Sequence, residues 1–350
     1  MSTPSRILLP AAVDPRALSD YCSAAHGMTH EAMVIALIDH ATLTLGAGDA
    51  SALFSAIDSL ESQYSRAQWN ELLIALSRLN RLDDKETRPD SLKMFLAELE
   101  LREDAGECVR LAIVGKSDAG QSENNLLSGT HEVNGTELVR PPHLSHAVAL
   151  KYAREIGSFA ENTPRDAIAD ELILPLAARS RVVKIMDPYL MEHVLRTAKG
   201  RPYDHAEWLV KVLAGAMPDG ASIELITDRN NGPTITDGGE EVSLTDVIAT
   251  RLISEAIGQA LDASGATQIK ARTTLVRAHP KKNPNRYLWF SCGVAFEVSH
   301  DFARLGRPLI WERVKFTRQR GDDADHVAKI AESYERFAPA AAKLQVKVST

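Results

Sequence analysis

The chain lacks a long hydrophobic segment. Although 44% of its 350 residues are hydrophobic, no apolar run approaches the roughly 18–20 residues that a transmembrane helix requires. The opening stretch MSTPSRILLPAAVDPR has only a few apolar residues in succession before Asp14, fewer than the apolar region of a secretory signal peptide. We therefore expect a cytoplasmic protein without a transmembrane segment.

Metal-binding and disulfide patterns are also missing. The three cysteines, Cys22, Cys108 and Cys292, are widely spaced, and no Cys-x-x-Cys pair occurs, which argues against a zinc site or a disulfide framework. The motifs His-Glu-x-x-His and Gly-x-Ser-x-Gly are absent as well, so the sequence signatures of zinc proteases and α/β-hydrolases are excluded. We predict neither a metal nor a cofactor.

Acidic residues outnumber basic residues overall, but positive charge is concentrated in one segment. The net charge is −7. Residues 270–320 nevertheless contain twelve Lys or Arg against only three acidic residues, Glu297, Asp301 and Glu312. Such a segment in an acidic protein is typical of an anion-binding surface. A solvated sheet face whose cations pair with acidic residues elsewhere is an equally open interpretation.

The spacing of apolar residues predicts three regions. Residues 1–104 form a helical region of amphipathic helices that pack on one another. Residues 105–166 form a connecting region with one clear strand, VRLAIVG, and a hairpin with Asn134-Gly135 at its tip. In residues 167–350 helices alternate with strand-like runs, which predicts an α/β domain with a mixed sheet and helices on both faces. Its last helix is predicted at about 324–343.

The stretch LAIVGKSDAGQS, residues 111–122, resembles a P-loop. Gly115, Gly120 and Ser122 have the spacing of a phosphate-binding loop after a strand, but Gln121 occupies the position of the lysine. A neutral side chain cannot offset the charge of a triphosphate, and no guanine-specificity motif is present. A degenerate nucleotide pocket at these four residues is one hypothesis, and a plain strand and turn is the other.

A second stretch, ELILPLAARSRVVKIMDPYL at residues 171–190, places Asp187 directly after an apolar strand. Pro188 has no N–H and ends the strand's hydrogen bonding. Ligands of parallel sheets bind at the carboxyl ends of the strands, so Asp187 is a candidate site residue. The alternative is that it only caps a turn.

The order of elements from about 167 to 320 resembles phospholipase D-like domains. The similarity is to the type that follows MIT domains and to bacterial relatives linked to phage defence. In these domains a helix precedes a strand ending in Asp-Pro-Tyr, a strand ending in Thr follows (here SIELIT), and a His-Asp-Arg-aromatic segment opens a hairpin. Here that segment reads HPKKNPNRYLWFSCGVAFEVSHDFARLG.

The catalytic motif of this family is incomplete in the chain. The enzymes use His-x-Lys-x4-Asp, with His as the nucleophile, Lys on the phosphate and a second His from another copy as the acid. Here His279 and Lys281 fit, but Arg286 stands at the Asp position. Alignment on the His-Asp-Arg form instead gives Pro284, Asn285 and Arg286, and Pro284 cannot act as a nucleophile.

The resemblance therefore implies a fold and a binding function more than catalysis. It implies a non-catalytic protein that binds a phosphate-bearing ligand, either nucleic acid or anionic lipid, through Lys281, Lys282, Asn285 and Arg286. It also implies contacts of the helical region with partner proteins, as one subunit of a larger bacterial antiviral assembly.

Two alternatives remain. The first is a phospholipase D-like phosphodiesterase or nuclease that works as a homodimer, with His279, Lys281 and Asp187 as catalytic candidates. The second is a nucleotide-binding protein with a degenerate P-loop.

Overall fold

The computed structural model describes most of the chain, and two compact units make it up. The described residues are 7–45, 49–83, 96, 101, 105–115, 130–155, 157–195, 203–228, 234–237, 240–276, 286–299, 302–320 and 344–350. The N-terminal unit is Met1–Ile156 and the C-terminal unit is Gly157–Thr350. This division differs from the three predicted regions, because the strand and hairpin of the predicted connecting region pair with the first strand's sheet.

The N-terminal unit is built on a six-stranded sheet. Its strands are β1 Leu9–Val13, β2 Ala41–Thr44, β3 Leu82–Asp83, β4 Leu111–Ile113, β5 Thr130–Val133 and β6 Thr136–Val139. They lie in the order β3-β2-β1-β4-β6-β5, and every neighbouring pair is parallel except the β5–β6 hairpin. Asn134 and Gly135 form the tip of that hairpin, as predicted, with φ angles of 46° and 79° that suit a two-residue turn.

Amphipathic helices supply much of the core of this unit. They are α1 Pro15–Ser19, α2 Gly27–His40, α3 Asp49–Asp58, α4 Gln63–Arg78, α5 Ala105–Cys108 and α6 Val148–Glu155, with 3-10 turns at Ala24–His26 and Pro141–His146. The apolar stripes of α2 and α4 bury Met33, Leu37, Trp69 and Leu73 against the strands. The helical pattern that the sequence predicts for these segments is therefore present.

Residues 1–104 are not wholly helical, however, because β1, β2 and β3 lie among the helices. β2 follows α2 directly and is buried at all four positions. Strands buried on both faces of a parallel sheet do not alternate between apolar and polar residues. The period-2 signal that identifies a strand in a sequence is therefore missing here.

The C-terminal unit contains an eight-stranded mixed sheet. Its strands are β7 Ser158–Phe159, β8 Val182–Met186, β9 Ser222–Asp228, β12 Lys270–Val276, β13 Arg286–Phe290, β14 Val294–Val298, β15 Val314–Arg320 and β16 Leu344–Ser349, and a separate hairpin joins β10 Thr234–Asp237 to β11 Glu240–Ser243. The order is β16-β12-β9-β8-β13-β14-β15-β7. Only β8, β9 and β12 are mutually parallel, and their carboxyl ends share one edge of the sheet.

The helices of this unit bury apolar residues against that sheet. They are α7 Arg165–Ile168, a π-helical turn Ala169–Ile173, α8 Leu174–Ala177, α9 Glu192–Leu195, α10 His205–Ala216 and α11 Asp246–Ser264, with a 3-10 turn at Phe302–Leu305. The helix predicted at 324–343 falls outside the described residues. None of the helices in the described ranges is long and apolar enough to span a lipid bilayer.

One face of the sheet carries charged residues at its centre. Lys184, Glu224 and Arg272 lie directly opposite one another on β8, β9 and β12, and their side chains keep 18–43% of their surface exposed. The centre of this face is therefore only partly covered. The alternation of apolar and charged residues in VVKIM, SIELITD and KARTTLV is typical of a half-exposed sheet.

Candidate functional site

The carboxyl edge of β8 is organised around Asp187, whose residue surface is completely buried. The Oδ1 atom of Asp187 accepts a hydrogen bond of 2.8 Å from the Tyr189 N–H. The Oδ2 atom accepts one of 2.9 Å from the N–H of Phe302, which follows β14 in the chain. The carboxylate therefore joins two loops at this edge of the sheet.

Arg286 is the charged partner of Asp187. β13 runs antiparallel to β8 and pairs Tyr287 with Met186, so Arg286 starts its strand beside the residue that ends β8. Its Nε lies 3.5 Å from the Oδ1 of Asp187, and its guanidinium carbon lies 5.7 Å from the centre of the Tyr189 ring. The Nε is buried and has no hydrogen-bond partner among the described residues, so Asp187 and the Tyr189 ring attract the guanidinium by charge without a hydrogen bond at this atom.

Thr227 fixes the turn that follows Asp187. Its hydroxyl donates a hydrogen bond of 3.0 Å to the Pro188 carbonyl and accepts one of 3.4 Å from the Met191 N–H. The threonine that ends SIELIT thus has a structural role within the described part of the unit. It holds the chain that carries Tyr189 against the neighbouring strand.

Arg286, and not Asp187, is the charged group of this arrangement that solvent reaches. Asp187 has no exposed surface, and both of its oxygens already accept backbone hydrogen bonds, so it is poorly placed to act as a base or a nucleophile. The Arg286 side chain is 15% exposed. In the described structure its terminal nitrogens donate no hydrogen bond, and a guanidinium offers its free N–H groups to phosphate in a planar fork.

The structure describes two of the predicted residues of this site and not the others. Asp187 and Arg286 come together, whereas His279, Lys281, Lys282 and Asn285 lie outside the described residues. The described residues that flank them, Val276 at the end of β12 and Arg286 at the start of β13, are both at the carboxyl edge.

The positive charge of residues 270–320 is partly neutralised. Arg272 pairs with Glu224, Arg304 pairs with Glu312, and Arg286 pairs with Asp187. The segment is therefore not a uniform basic surface. The interpretation in which cations pair with acidic residues is present at these three positions, and anion binding by the segment stays a prediction.

A histidine cluster at the starts of α9 and α10 is not predicted from the sequence. His193 Nε2 lies 2.6 Å from Glu207 Oε2, and the rings of His193 and His205 are 4.5 Å apart. Burial, followed by the nearby His193, lowers the pKa of His205 to about 3. Among the described residues, no group of three or more His, Cys, Asp or Glu is arranged to hold a metal. The cluster has no sequence signature, because helix packing alone brings these residues together.

Residues 111–115, the described part of the P-loop-like stretch, lie where the strand order of the N-terminal sheet reverses. The strand order reverses between β1 and β4, and ligands of open parallel sheets bind at such a reversal, outside the carboxyl ends of the strands. Asp14 follows β1 there and pairs with Arg16 at 2.9 Å. Gly115 follows β4 and lies against Arg16 and Asp20.

The rest of the predicted nucleotide site, Gly120, Gln121 and Ser122, is outside the described residues. The strand that precedes it is present as predicted.

Comparison of the chain with protein-family models, with curated proteins and with solved structures finds no match.

Proposed function

We propose that the C-terminal unit binds a phosphate-bearing ligand, without catalysing a reaction on it, at the carboxyl edge of β8, β9 and β12. We call this position the Arg286 edge and define it by Asp187, Tyr189 and Arg286. The observation that carries the proposal is the partly exposed guanidinium of Arg286, which lies between Asp187 and the Tyr189 ring and whose buried Nε has no hydrogen-bond partner among the described residues.

The same geometry supports the proposal that the site does not catalyse a reaction. In the phospholipase D-like motif an acidic residue stands where this chain has Arg286. The only acidic group that contacts Arg286 among the described residues is Asp187, which is buried and hydrogen-bonded to two backbone amides. A nucleophilic histidine needs a group that orients it, and Asp187 is engaged elsewhere.

Replacement of Arg286 by glutamine is expected to weaken binding of single-stranded nucleic acid about 10–100-fold. Hydrogen bonds between charged groups contribute about 1.5–3 kcal/mol, and each 1.4 kcal/mol corresponds to about a tenfold change in Kd. Fluorescence anisotropy with a labelled oligonucleotide over a series of salt concentrations measures the effect. The variant should also lower the slope of log Kd against log salt, because one phosphate contact is lost.

Arg181→Gln is the matched control. Arg181 is exposed and precedes β8 at the opposite end of the same strand, so this variant loses the same charge at a distance from the Arg286 edge. Its affinity should stay within about twofold of the wild type. If Arg286→Gln bound the oligonucleotide as tightly as the wild type, the Arg286 edge would not be the binding site.

The same samples test the enzymatic alternative. A denaturing gel of the bound oligonucleotide should show it intact. Cleavage by the wild type that disappears in His279→Ala would instead support the dimeric phosphodiesterase, and the non-catalytic proposal would then be wrong.

A second candidate function is nucleotide binding by the N-terminal unit, and the strand order favours it. β4 ends at the reversal of the sheet, and the glycine-containing stretch begins there at Gly115. We also propose that the N-terminal unit contacts partner proteins.

Calorimetry with ATP and GTP tests this second function. We expect weak binding that does not depend on magnesium, and we expect Gln121→Lys to tighten it about tenfold, since a lysine at this position reaches the β- and γ-phosphates. Asn124→Lys adds the same charge outside the motif spacing and should leave the affinity unchanged. No heat from the wild type, and none from Gln121→Lys, would mean that the spacing is accidental.

A further inference from the structure

A second arginine lies on aromatic rings in the C-terminal unit. The rings of Tyr203 and Trp311 are 5.1 Å apart and tilted by 31°. The guanidinium of Arg307 lies 5.2 Å from the Tyr203 ring and 5.5 Å from the Trp311 ring. Arg307 is exposed and both rings are partly exposed. We call these three residues the Arg307 cluster.

The loop that carries Arg307 is held in one conformation. A Cβ atom on Gly306 would lie 2.9 Å from both the Ala303 carbonyl oxygen and the Tyr203 Cβ, so only glycine allows this close approach. The Arg165 side chain donates a hydrogen bond of 3.1 Å to the Leu305 carbonyl. Further along the loop, Ile310 exchanges backbone hydrogen bonds with Asn162 and Thr163. The cluster is therefore formed before any ligand binds.

The Arg307 cluster and the Arg286 edge are connected through Phe302. The Phe302 N–H donates to Asp187, and five residues lead from Phe302 to Arg307, which limits their separation to about 17 Å. Arg286 pairs with Val298 at the end of β14, and Val298 pairs with Phe316 near the start of β15, so the loop that carries Phe302 and Arg307 leaves and re-enters the sheet at this edge. The two arginine–aromatic groups therefore lie at the same edge of the unit.

The chemistry of the Arg307 cluster differs from that of a plain phosphate site. A guanidinium stacked on aromatic rings presents a planar face on which a base can stack, together with N–H groups for phosphate. A lipid headgroup has phosphates but no planar base. Two such groups, separated along one edge, match a polymer that repeats a phosphate and a base.

We infer that the ligand of the Arg286 edge is single-stranded nucleic acid, which runs from Arg286 to the Arg307 cluster and stacks a base there. This inference rests on the function proposed above and identifies its ligand. Phosphate contacts at Arg286 anchor one end of the bound segment, and base stacking at Trp311 and Arg307 extends the contact. Binding is therefore stronger for strands long enough to reach both groups.

Anisotropy with labelled oligothymidylates of about 4 and about 16 nucleotides, the range of site sizes in single-strand binding domains, tests the inference. Trp311→Ala and Arg307→Gln should each weaken binding of the longer strand about tenfold, because stacking contributes about 1–3 kcal/mol per base. Neither should change the affinity for the shorter strand. Leu309→Ala, in the same loop and 50% exposed, should bind both strands like the wild type.

The outcomes separate this inference from the proposed function. If Arg286→Gln weakens binding while Trp311→Ala and Arg307→Gln both bind the longer strand like the wild type, the nucleic-acid path is wrong and the phosphate site stands. Binding of vesicles containing a phosphoinositide, but of no oligonucleotide, would also overturn the inference alone. Binding of neither would overturn both. Arg307→Gln alters an exposed side chain and keeps the test valid if Trp311→Ala does not fold.

Discussion

Replacement of Asp187 by alanine is expected to lower the free energy of unfolding of the C-terminal unit by about 3–5 kcal/mol. The substitution leaves the N–H groups of Tyr189 and Phe302 without their acceptor, and it leaves the guanidinium of Arg286 without its buried counter-charge. Urea unfolding followed by tryptophan fluorescence measures the loss, since Trp208, Trp289 and Trp311 all lie in this unit.

Two comparisons identify the cause of this loss. Asp170→Ala removes an exposed carboxylate of the same unit and should change stability by no more than about 0.5 kcal/mol. Asp187→Asn preserves the shape but presents an amide to the backbone donors, so it should recover only part of the loss. A wild-type stability in Asp187→Ala would show that Asp187 is not the structural tie that we describe.

Acidification is expected to destabilise the C-terminal unit through His205. The ring is 2% exposed, and burial together with His193 lowers its pKa from 6.5 to about 3. Neither ring nitrogen has hydrogen-bond geometry to a described residue, although the carbonyls of Tyr189 and Leu190 lie close enough to favour the charged ring. The imidazole is therefore neutral in the folded protein at neutral pH.

The sign of the effect follows from proton binding. Below about pH 6.5 the unfolded chain binds a proton at His205 and the folded chain does not, so stability is complete above that pH and falls as the pH approaches 3. The loss contributed by His205 is about 2 kcal/mol at pH 5 and on the order of 5 kcal/mol over the full range. Urea unfolding at a series of pH values measures it.

His205→Leu should remove this part of the pH dependence, because the variant has no group to titrate at that position. His146→Leu, which replaces an exposed histidine, should leave it unchanged. The charged neighbours Glu207 and Arg165 are retained in both variants. An identical pH dependence in the wild type and His205→Leu would contradict the buried, neutral state of His205.

The strands of the C-terminal unit could be predicted closely from the sequence. RYLWF and VAFEV, which are largely apolar, coincide with β13 and β14, and SIELITD, which alternates between apolar and polar residues, coincides with β9. The spacing of Trp208, Leu209, Val212 and Leu213 predicts a helix around residues 205–216, and α10 has those bounds in the structure. Local patterns suffice for these elements, since each is long enough to show its own periodicity.

The N-terminal sheet could not be predicted in the same way. β3 has only two residues. β2 begins at Ala41, directly after α2 ends at His40, so no turn residue marks the boundary between them. The environment of the Arg81 side chain could not be predicted from local sequence either. Arg81 is fully buried and donates hydrogen bonds to the carbonyls of Leu37 and Ala41, about 40 residues away. A sequence pattern places arginine on the surface, and only the tertiary fold supplies backbone acceptors for it.

Part of the candidate site can be predicted from the sequence. The position of Asp187 at a strand end follows from the apolar run before it and from Pro188. Its pairing with Arg286, 99 positions later in the chain, depends on the antiparallel register of β13 and β8, which local sequence does not encode. The Arg307 cluster likewise forms only when the loop after Phe302 meets Tyr203.

Hydrogen–deuterium exchange of the whole chain with and without a single-stranded oligonucleotide tests the central claim most directly. The account predicts that the ligand slows exchange in peptides covering Asp187–Met191 and Arg286–Phe290, while the oligonucleotide stays intact. Slower exchange confined to peptides covering Leu111–Gly115, with none at the Arg286 edge, would contradict it and would assign ligand binding to the N-terminal unit.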